Sequence, residues 1–121
     1  MPSVLIVDDD TGVRQTVRRM LEGMTYDLRE ASTAAQALAE LTNAAPDVMI
    51  LDLLMPGMTG LQLLSTLQDR HDLPRVPIVV ITGSITSETA VLELGARGLL
   101  RKPFTKAQLR AAVEAVLHRS T

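Results

Sequence analysis

The 121-residue chain contains no cysteine and no tryptophan, and it has only one tyrosine and one phenylalanine. Without cysteine, neither a disulfide nor a thiolate-bound zinc ion can contribute to the structure. Because aromatic residues make up only 2% of the chain, leucine, valine, isoleucine, alanine and methionine must fill the core. The 46% of hydrophobic and 21% of charged residues are ordinary for a globular protein, and the length predicts one domain over residues 1–121.

Long apolar runs and clusters of basic residues are also missing. No segment approaches the roughly 18 apolar residues of a membrane span, and the N-terminus lacks the basic and apolar regions of a secretory leader. The net charge is −2, and Arg18–Arg19 and Arg101–Lys102 are isolated basic pairs, which argues against a nucleic-acid-binding stripe. We therefore expect a soluble, cytoplasmic protein that binds neither membranes nor, directly, nucleic acid.

Short apolar segments alternate with longer segments in which apolar residues recur at helical spacing, as is typical of a parallel α/β sheet. Strands are predicted at Ser3–Val7, Tyr26–Ala31, Val48–Leu51, Ile78–Ile81 and Leu99–Arg101. Helices are predicted to begin near Thr11, at Ser32 or Thr33 as N-cap, after Gly60, near Ser87 and from Thr105. The third and fourth strands are continuously apolar, which favours central positions, whereas the mixed second strand favours an edge.

Polar side chains follow four of the predicted strands. Asp8–Asp10 follow the first strand, Asp52 the third, Thr82 the fourth and Lys102 the fifth. If the first and third strands are parallel neighbours, three or four carboxylates converge, and they cannot all stay ionised without a cation among them. Mg²⁺ accepts carboxylate, carbonyl and water oxygens. Carboxylates, a metal ion, a hydroxyl and an ammonium together are suited to handling a phosphoryl group.

The chain resembles the receiver (CheY-like) domains of two-component response regulators over essentially its whole length. The matching residues are Asp8-Asp9, Asp52 followed by Met55-Pro56 and Gly60, Thr82, and Lys102-Pro103-Phe104. Their order and spacing are specific only when taken together. The resemblance implies a (βα)₅ flavodoxin-like, doubly wound parallel sheet with strand order 2-1-3-4-5, whose ligand crevice lies outside the carboxyl ends of strands 1 and 3.

The resemblance also implies how phosphoryl transfer would proceed. Asp52 would accept the phosphoryl group from the phosphohistidine of a sensor kinase or a phosphotransfer protein. Lys102 would pair first with Asp52 and then with a phosphoryl oxygen, and Thr82 would sense the phosphate through its hydroxyl. The Lys102–Pro103 peptide is expected to be cis, as in the family. Such a domain assists its own phosphorylation and dephosphorylation, and no turnover of external substrates is expected.

The metal ligands are likewise implied by the resemblance. Asp9 and Asp52 would ligate Mg²⁺ directly, and the backbone carbonyl of Leu54 would complete the protein ligands. Asp8 would act largely through water. Asp10 is instead predicted to cap the first helix.

Two positions depart from the family pattern. Receivers commonly carry an aromatic residue in strand 5, where this chain has Leu99, so we expect phosphorylation to move the loop of residues 83–86 and helix 4 more than strand 5. Ala112 replaces the arginine that the winged-helix branch uses for its dimer contact.

The resemblance also implies partners for the output. The signal would pass to a downstream protein or a fused output domain. Homodimerisation through helix 4, strand 5 and helix 5 is one expected mode of assembly.

Two other functions are consistent with parts of the sequence. A degenerate receiver could act as an interaction module without phosphorylation, although the complete acidic set argues against it. A haloacid-dehalogenase-type phosphatase also uses a strand-end aspartate with Mg²⁺, in an Asp-x-Asp-x-(Thr/Val) motif. Asp8-Asp9-Asp10-Thr11-Gly12 begins in that way but has glycine at the last position. Sustained hydrolysis of p-nitrophenyl phosphate would distinguish the phosphatase from a receiver.

Overall fold

The computed structural model describes residues 1–53, 60–83 and 88–119. In chain order the elements are β1 (Ser3–Val7), α1 (Thr11–Leu21), β2 (Asp27–Ala31), α2 (Ala34–Asn43), β3 (Val48–Asp52), α3 (Gly60–Asp69), β4 (Ile78–Thr82), α4 (Glu88–Glu93), β5 (Gly98–Arg101) and α5 (Lys106–Arg119). The predicted alternation of five strands and five helices is confirmed. Among the described residues, no helix combines the length and the apolarity that a bilayer crossing demands.

All five strands are parallel and lie in the order β2-β1-β3-β4-β5, so the expected flavodoxin-like topology is confirmed. In this register Val7 lies beside Leu51, and Asp52 lies beside Ile81. The carboxyl ends of β1, β3 and β4 therefore meet at one edge of the sheet. This edge carries the polar residues that follow the strands.

The sheet separates two aliphatic clusters because successive strand side chains point to opposite faces. One cluster packs the sheet against α2, α3 and α4, and the other packs it against α1 and α5. β3 and β4 are buried along their whole length, as predicted for central strands, whereas β2 is partly exposed at the edge. The buried hydrophobic side chains described are those of leucine, valine, isoleucine, alanine and methionine.

Helix α1 begins with the N-cap that the sequence predicts. The side chain of Asp10 accepts hydrogen bonds from the backbone N–H groups of Gly12 (2.7 Å) and Val13 (3.3 Å). These bonds satisfy two of the donors that a helix leaves unpaired at its start. Because the Asp10 side chain caps α1, only Asp8 and Asp9 of this acidic run have carboxylates directed to the edge of the sheet.

Helix α3 begins in direct contact with the end of β3. The backbone N–H of Gly60 donates to the carbonyl of Leu53 over 2.7 Å. A Cβ atom at Gly60 would lie 2.4 Å from both the carbonyl oxygen of Asp52 and the Cα of Leu53. No other side chain fits there without displacing backbone, so this glycine sets how closely α3 approaches Asp52.

Replacing Gly60 with alanine is expected to lower the free energy of unfolding by about 1–3 kcal/mol, because the start of α3 or the end of β3 must move. Helix propensity alone would give the opposite result, because alanine is more favourable than glycine inside a helix. Gly83→Ala is the matched control, since its Cβ would meet its nearest neighbour, Lys102 Cδ, at an ordinary 3.8 Å. Urea unfolding measures both effects. A Gly60→Ala protein as stable as Gly83→Ala would contradict the close approach.

Candidate functional site

Three carboxylates lie together at the carboxyl edge of the sheet. One oxygen from each of Asp8, Asp9 and Asp52 lies within 4.8 Å of the others. Asp8 is fully buried, Asp52 is 6% exposed, and Asp9 is exposed at the surface. The structure therefore brings together the carboxylates that the sequence places after β1 and β3, because these two strands are neighbours in the sheet.

Asp8 is the most deeply buried member of this cluster. Its Oδ1 accepts a hydrogen bond from the backbone N–H of Asp10 over 2.9 Å. Its Oδ2 is buried and has no hydrogen-bond partner in the part of the chain that the structure describes. Burial raises the pKa of Asp8 to about 7, the nearby negative charge of Asp52 adds to this rise, and the Asp10 N–H and Lys102 oppose it. A buried carboxylate of this kind is stabilised by a cation placed beside it.

Lys102 contributes a positive charge to the cluster. Its Nζ lies 3.4 Å from Oδ2 of Asp52, and the side chain remains 31% exposed. The backbone N–H of Lys102 donates to the carbonyl of Thr82 over 2.8 Å, which fixes the lysine beside the end of β4. The Lys102–Pro103 peptide is cis, as predicted. One ammonium cannot balance three carboxylates.

Thr82 is the last residue of β4 and is fully buried. It lies one residue beyond Ile81, the partner of Asp52 in the β3–β4 register. Gly83 follows at the surface, so the approach to this edge carries no side chain at that position. The hydroxyl that the sequence predicts for the site is thus positioned at the same edge as the carboxylates.

Several residues named from the sequence lie outside the described residues. These are Leu54, with the carbonyl predicted to ligate the metal, Met55-Pro56, residues 84–86 of the loop expected to move, and Ser87, near which the fourth helix was predicted to begin. Leu99 is half-buried, lies beside Val80 and packs on the cluster facing α2, α3 and α4. Ala112 is half-buried against the opposite cluster.

The residues present fit a hard divalent cation. Carboxylate oxygens are the ligands that Mg²⁺ prefers, and it is commonly held by one or two carboxylates together with water. The buried Oδ2 of Asp8 lacks a donor among the described residues, and a cation would compensate its charge. Among the described residues, Asp8, Asp9 and Asp52 are therefore the side chains that would hold the ion.

Sequence reasoning missed one residue that contacts the site. Arg14, on α1, donates from Nη1 to the backbone carbonyl of Asp8 over 2.7 Å. An arginine in the first turns of an amphipathic helix resembles any solvated helix charge. Nothing in its local sequence indicates that it folds back onto the preceding strand end.

The sequence matches a family model and curated proteins described as response regulators. The family described as "Response regulator receiver domain" matches residues 4–114. The response regulator MprA of Mycobacterium sp. (strain KMS) is 36% identical over 120 residues, covering 98% of this chain and 51% of that protein. The chain thus spans about half the length of the curated relatives it matches.

Solved structures agree with the sequence match. The chemotaxis protein CheY4 of Vibrio cholerae superimposes with a TM-score of 0.86 at 33% identity, covering 97% of this chain and 99% of that one. A putative response regulator from Chloroflexus aurantiacus gives a TM-score of 0.89 at 33% identity, with 98% of each chain covered.

The raised pKa of Asp8 predicts how stability depends on pH in the absence of divalent cations. Between about pH 4 and pH 7 the folded protein keeps a proton on Asp8 that the unfolded chain has lost, since the pKa rises from 3.8 to about 7 on folding. The free energy of unfolding should therefore fall as the pH rises through this window, by at most about 4 kcal/mol. Urea unfolding in EDTA at pH 5 and pH 8 measures the part of this fall that lies above pH 5, at most about 3 kcal/mol.

Asp8→Asn is the control for this measurement, because it removes the ionisable group while keeping its shape. The fall should be clearly smaller in Asp8→Asn than in the wild type. Equal falls in the two proteins would show that Asp8 ionises without penalty.

Proposed function

The chain belongs to the family of response regulator receiver domains of two-component systems, and from this membership we propose that Asp52 is its phosphoacceptor. The observation that carries the proposal is the position of the Asp52 carboxylate, grouped with Asp8 and Asp9 and 3.4 Å from the Nζ of Lys102. A carboxylate can attack a phosphoryl group when nearby positive charge offsets their mutual repulsion. The family match over residues 4–114 leaves the phosphatase alternative without support.

In the proposed transfer, an Asp52 oxygen bonds to phosphorus in line as the bond from phosphorus to the donor histidine nitrogen breaks. Asp9 and Asp52 would hold Mg²⁺ together with the Leu54 carbonyl implied by the family, and Asp8 would act largely through water. The ion would supply charge that offsets the repulsion between carboxylates and phosphate. Asp52 is only 6% exposed, and this burial limits the access of water to the acceptor.

Lys102 and Thr82 act on the transferred group. The Lys102 ammonium pairs with Asp52 before transfer and forms a charge-assisted hydrogen bond with a phosphoryl oxygen afterwards. The Thr82 hydroxyl, buried at the end of β4, donates to another phosphoryl oxygen. Because Leu99 replaces the usual aromatic residue of β5, the response is expected to pass through the loop of residues 83–86 and α4 more than through β5.

The partners follow from this chemistry. The phosphoryl donor is the phosphohistidine of a sensor kinase or of a phosphotransfer protein. The receiver domain extends over residues 1–121, and the response passes to a following output domain or to a separate protein. Both arrangements are consistent with the relatives, since the chain matches 51% of MprA but 99% of the CheY4 chain. Cytoplasmic residence, the absence of direct nucleic-acid binding and dimerisation through α4, β5 and α5 stay predictions.

Acetyl phosphate with Mg²⁺ is expected to add one phosphoryl group to the wild-type protein and none to Asp52→Asn. Intact-mass analysis of freshly treated protein measures the addition. Asp9→Ala should show little Mg²⁺-dependent phosphorylation, because a carboxylate ligand is lost. Modification that persists in Asp52→Asn would contradict the assignment. An unmodified wild type would instead indicate a degenerate receiver.

Lys102→Ala is expected to leave the fold intact and phosphorylation detectable, but to weaken the response of the protein surface. The reason is that a phosphoryl oxygen loses its charged partner. Amide chemical-shift changes in α4 on addition of beryllofluoride, which stands in for the phosphoryl group on Asp52, measure the response. Lys106→Ala is the matched control, because Lys106 is exposed at the start of α5. Shift changes equal to those of the control would refute the role of Lys102.

A further inference from the structure

The backbone of Asp8, which joins β1 to the acidic cluster, is held by hydrogen bonds on both sides of its Cα. The backbone N–H of Asp8 donates to the carbonyl of Ala31 in β2 over 3.1 Å. The carbonyl of Asp8 accepts from Nη1 of Arg14 over 2.7 Å. A buried backbone carbonyl needs a hydrogen-bond donor. The Asp8 carbonyl lies beyond the last residue of β1, and the Arg14 side chain supplies its donor.

Arg14 is itself held by two further hydrogen bonds. Its Nε donates to Oε1 of Glu30 over 3.0 Å, and its Nη2 donates to Oγ1 of Thr11 over 3.2 Å. The side chain is only 14% exposed. The planar guanidinium can make these three bonds at once because its five donors have a fixed geometry. Arg14 thus connects α1, the edge strand β2 and the end of β1.

We propose that Arg14 is a positioning residue of the acidic site, which sets the backbone at Asp8 and Asp9 so that their carboxylates can bind a divalent cation. The inference rests on the proposed function of this site. Arg14 contacts the Asp8 carbonyl, and its action on the cation would pass through the backbone. Groups that orient metal ligands in this indirect way commonly change metal affinity about 10- to 100-fold when removed.

A surface ion pair alone does not account for this arrangement. Glu30 pairs with two arginines, Arg14 over 3.0 Å and Arg18 over 3.3 Å, and its side chain is 35% exposed. Because Glu30 remains partly in water, its ion pairs contribute little to stability. The two arginines differ in their backbone partner, since Arg18 donates to the carbonyl of Leu28, within β2, and Arg14 to that of Asp8. Arg18 is therefore a matched control that shares the ion pair but not the contact with the site.

The experiment measures the dissociation constant for Mg²⁺ by amide chemical-shift titration of the full chain at fixed pH and ionic strength. The proteins compared are the wild type, Arg14→Ala, Arg14→Lys and Arg18→Ala. Urea unfolding without Mg²⁺ is measured in parallel, so that a change in affinity is separated from a change in stability. We expect Arg14→Ala to bind Mg²⁺ about 10-fold more weakly than the wild type, and Arg18→Ala to bind it as the wild type does.

Arg14→Lys separates geometry from charge and decides the result if Arg14→Ala does not fold. It keeps the positive charge but cannot make the three directed bonds, so we expect it also to bind Mg²⁺ more weakly than the wild type. Wild-type affinity in Arg14→Lys, or equal losses in Arg14→Ala and Arg18→Ala, would overturn the proposal. A wild-type protein that binds no Mg²⁺ is a different result, which would refute the proposed metal site and this inference with it.

Discussion

Two buried carboxylates at the ends of adjacent parallel strands determine the arrangement of this edge of the molecule. Both side chains are buried, and burial together with the nearby charge of Asp52 disfavours the ionised form of Asp8. The sheet order places β1 beside β3, so the carboxylates that follow or end these two strands must lie close together. The nearby contacts either offset this charge or fix the backbone that carries it. Lys102 supplies positive charge, and Gly60 lets α3 begin against the end of β3.

Without a cation, the buried carboxylate of Asp8 lowers the free energy of unfolding. Such a loss of stability is expected at a binding site. Local rules of protein stability are commonly violated at functional sites. Here a carboxylate oxygen of Asp8 is buried without a donor among the described residues, while the strands beneath it form an aliphatic core. That core sets the positions of the strand ends. A receiver domain needs this combination, because its acceptor must be fixed in place and still respond to the arrival of a dianionic group.

Much of the fold could be predicted from the sequence, because strand burial and helix capping are encoded locally. The run Val48–Leu51 indicated a central strand, and Asp10 indicated an N-cap. Strand order could not be obtained from periodicity and came from the resemblance to receiver domains, which the topology confirms. The contact of Arg14 with Asp8 and the close approach at Gly60 were missed, because both depend on the three-dimensional path of the chain.

Cation binding by the carboxylate cluster is tested by the free energy of unfolding, measured as a function of Mg²⁺ concentration at neutral pH and constant ionic strength. A ligand that binds only the folded protein raises this free energy progressively once its concentration exceeds the dissociation constant. We expect such a rise for the wild type, and a much smaller one for Asp9→Asn and Asp52→Asn, which each lose a carboxylate of the cluster. A wild-type stability that does not change with Mg²⁺, or an equal rise in all three proteins, would contradict cation binding by this cluster.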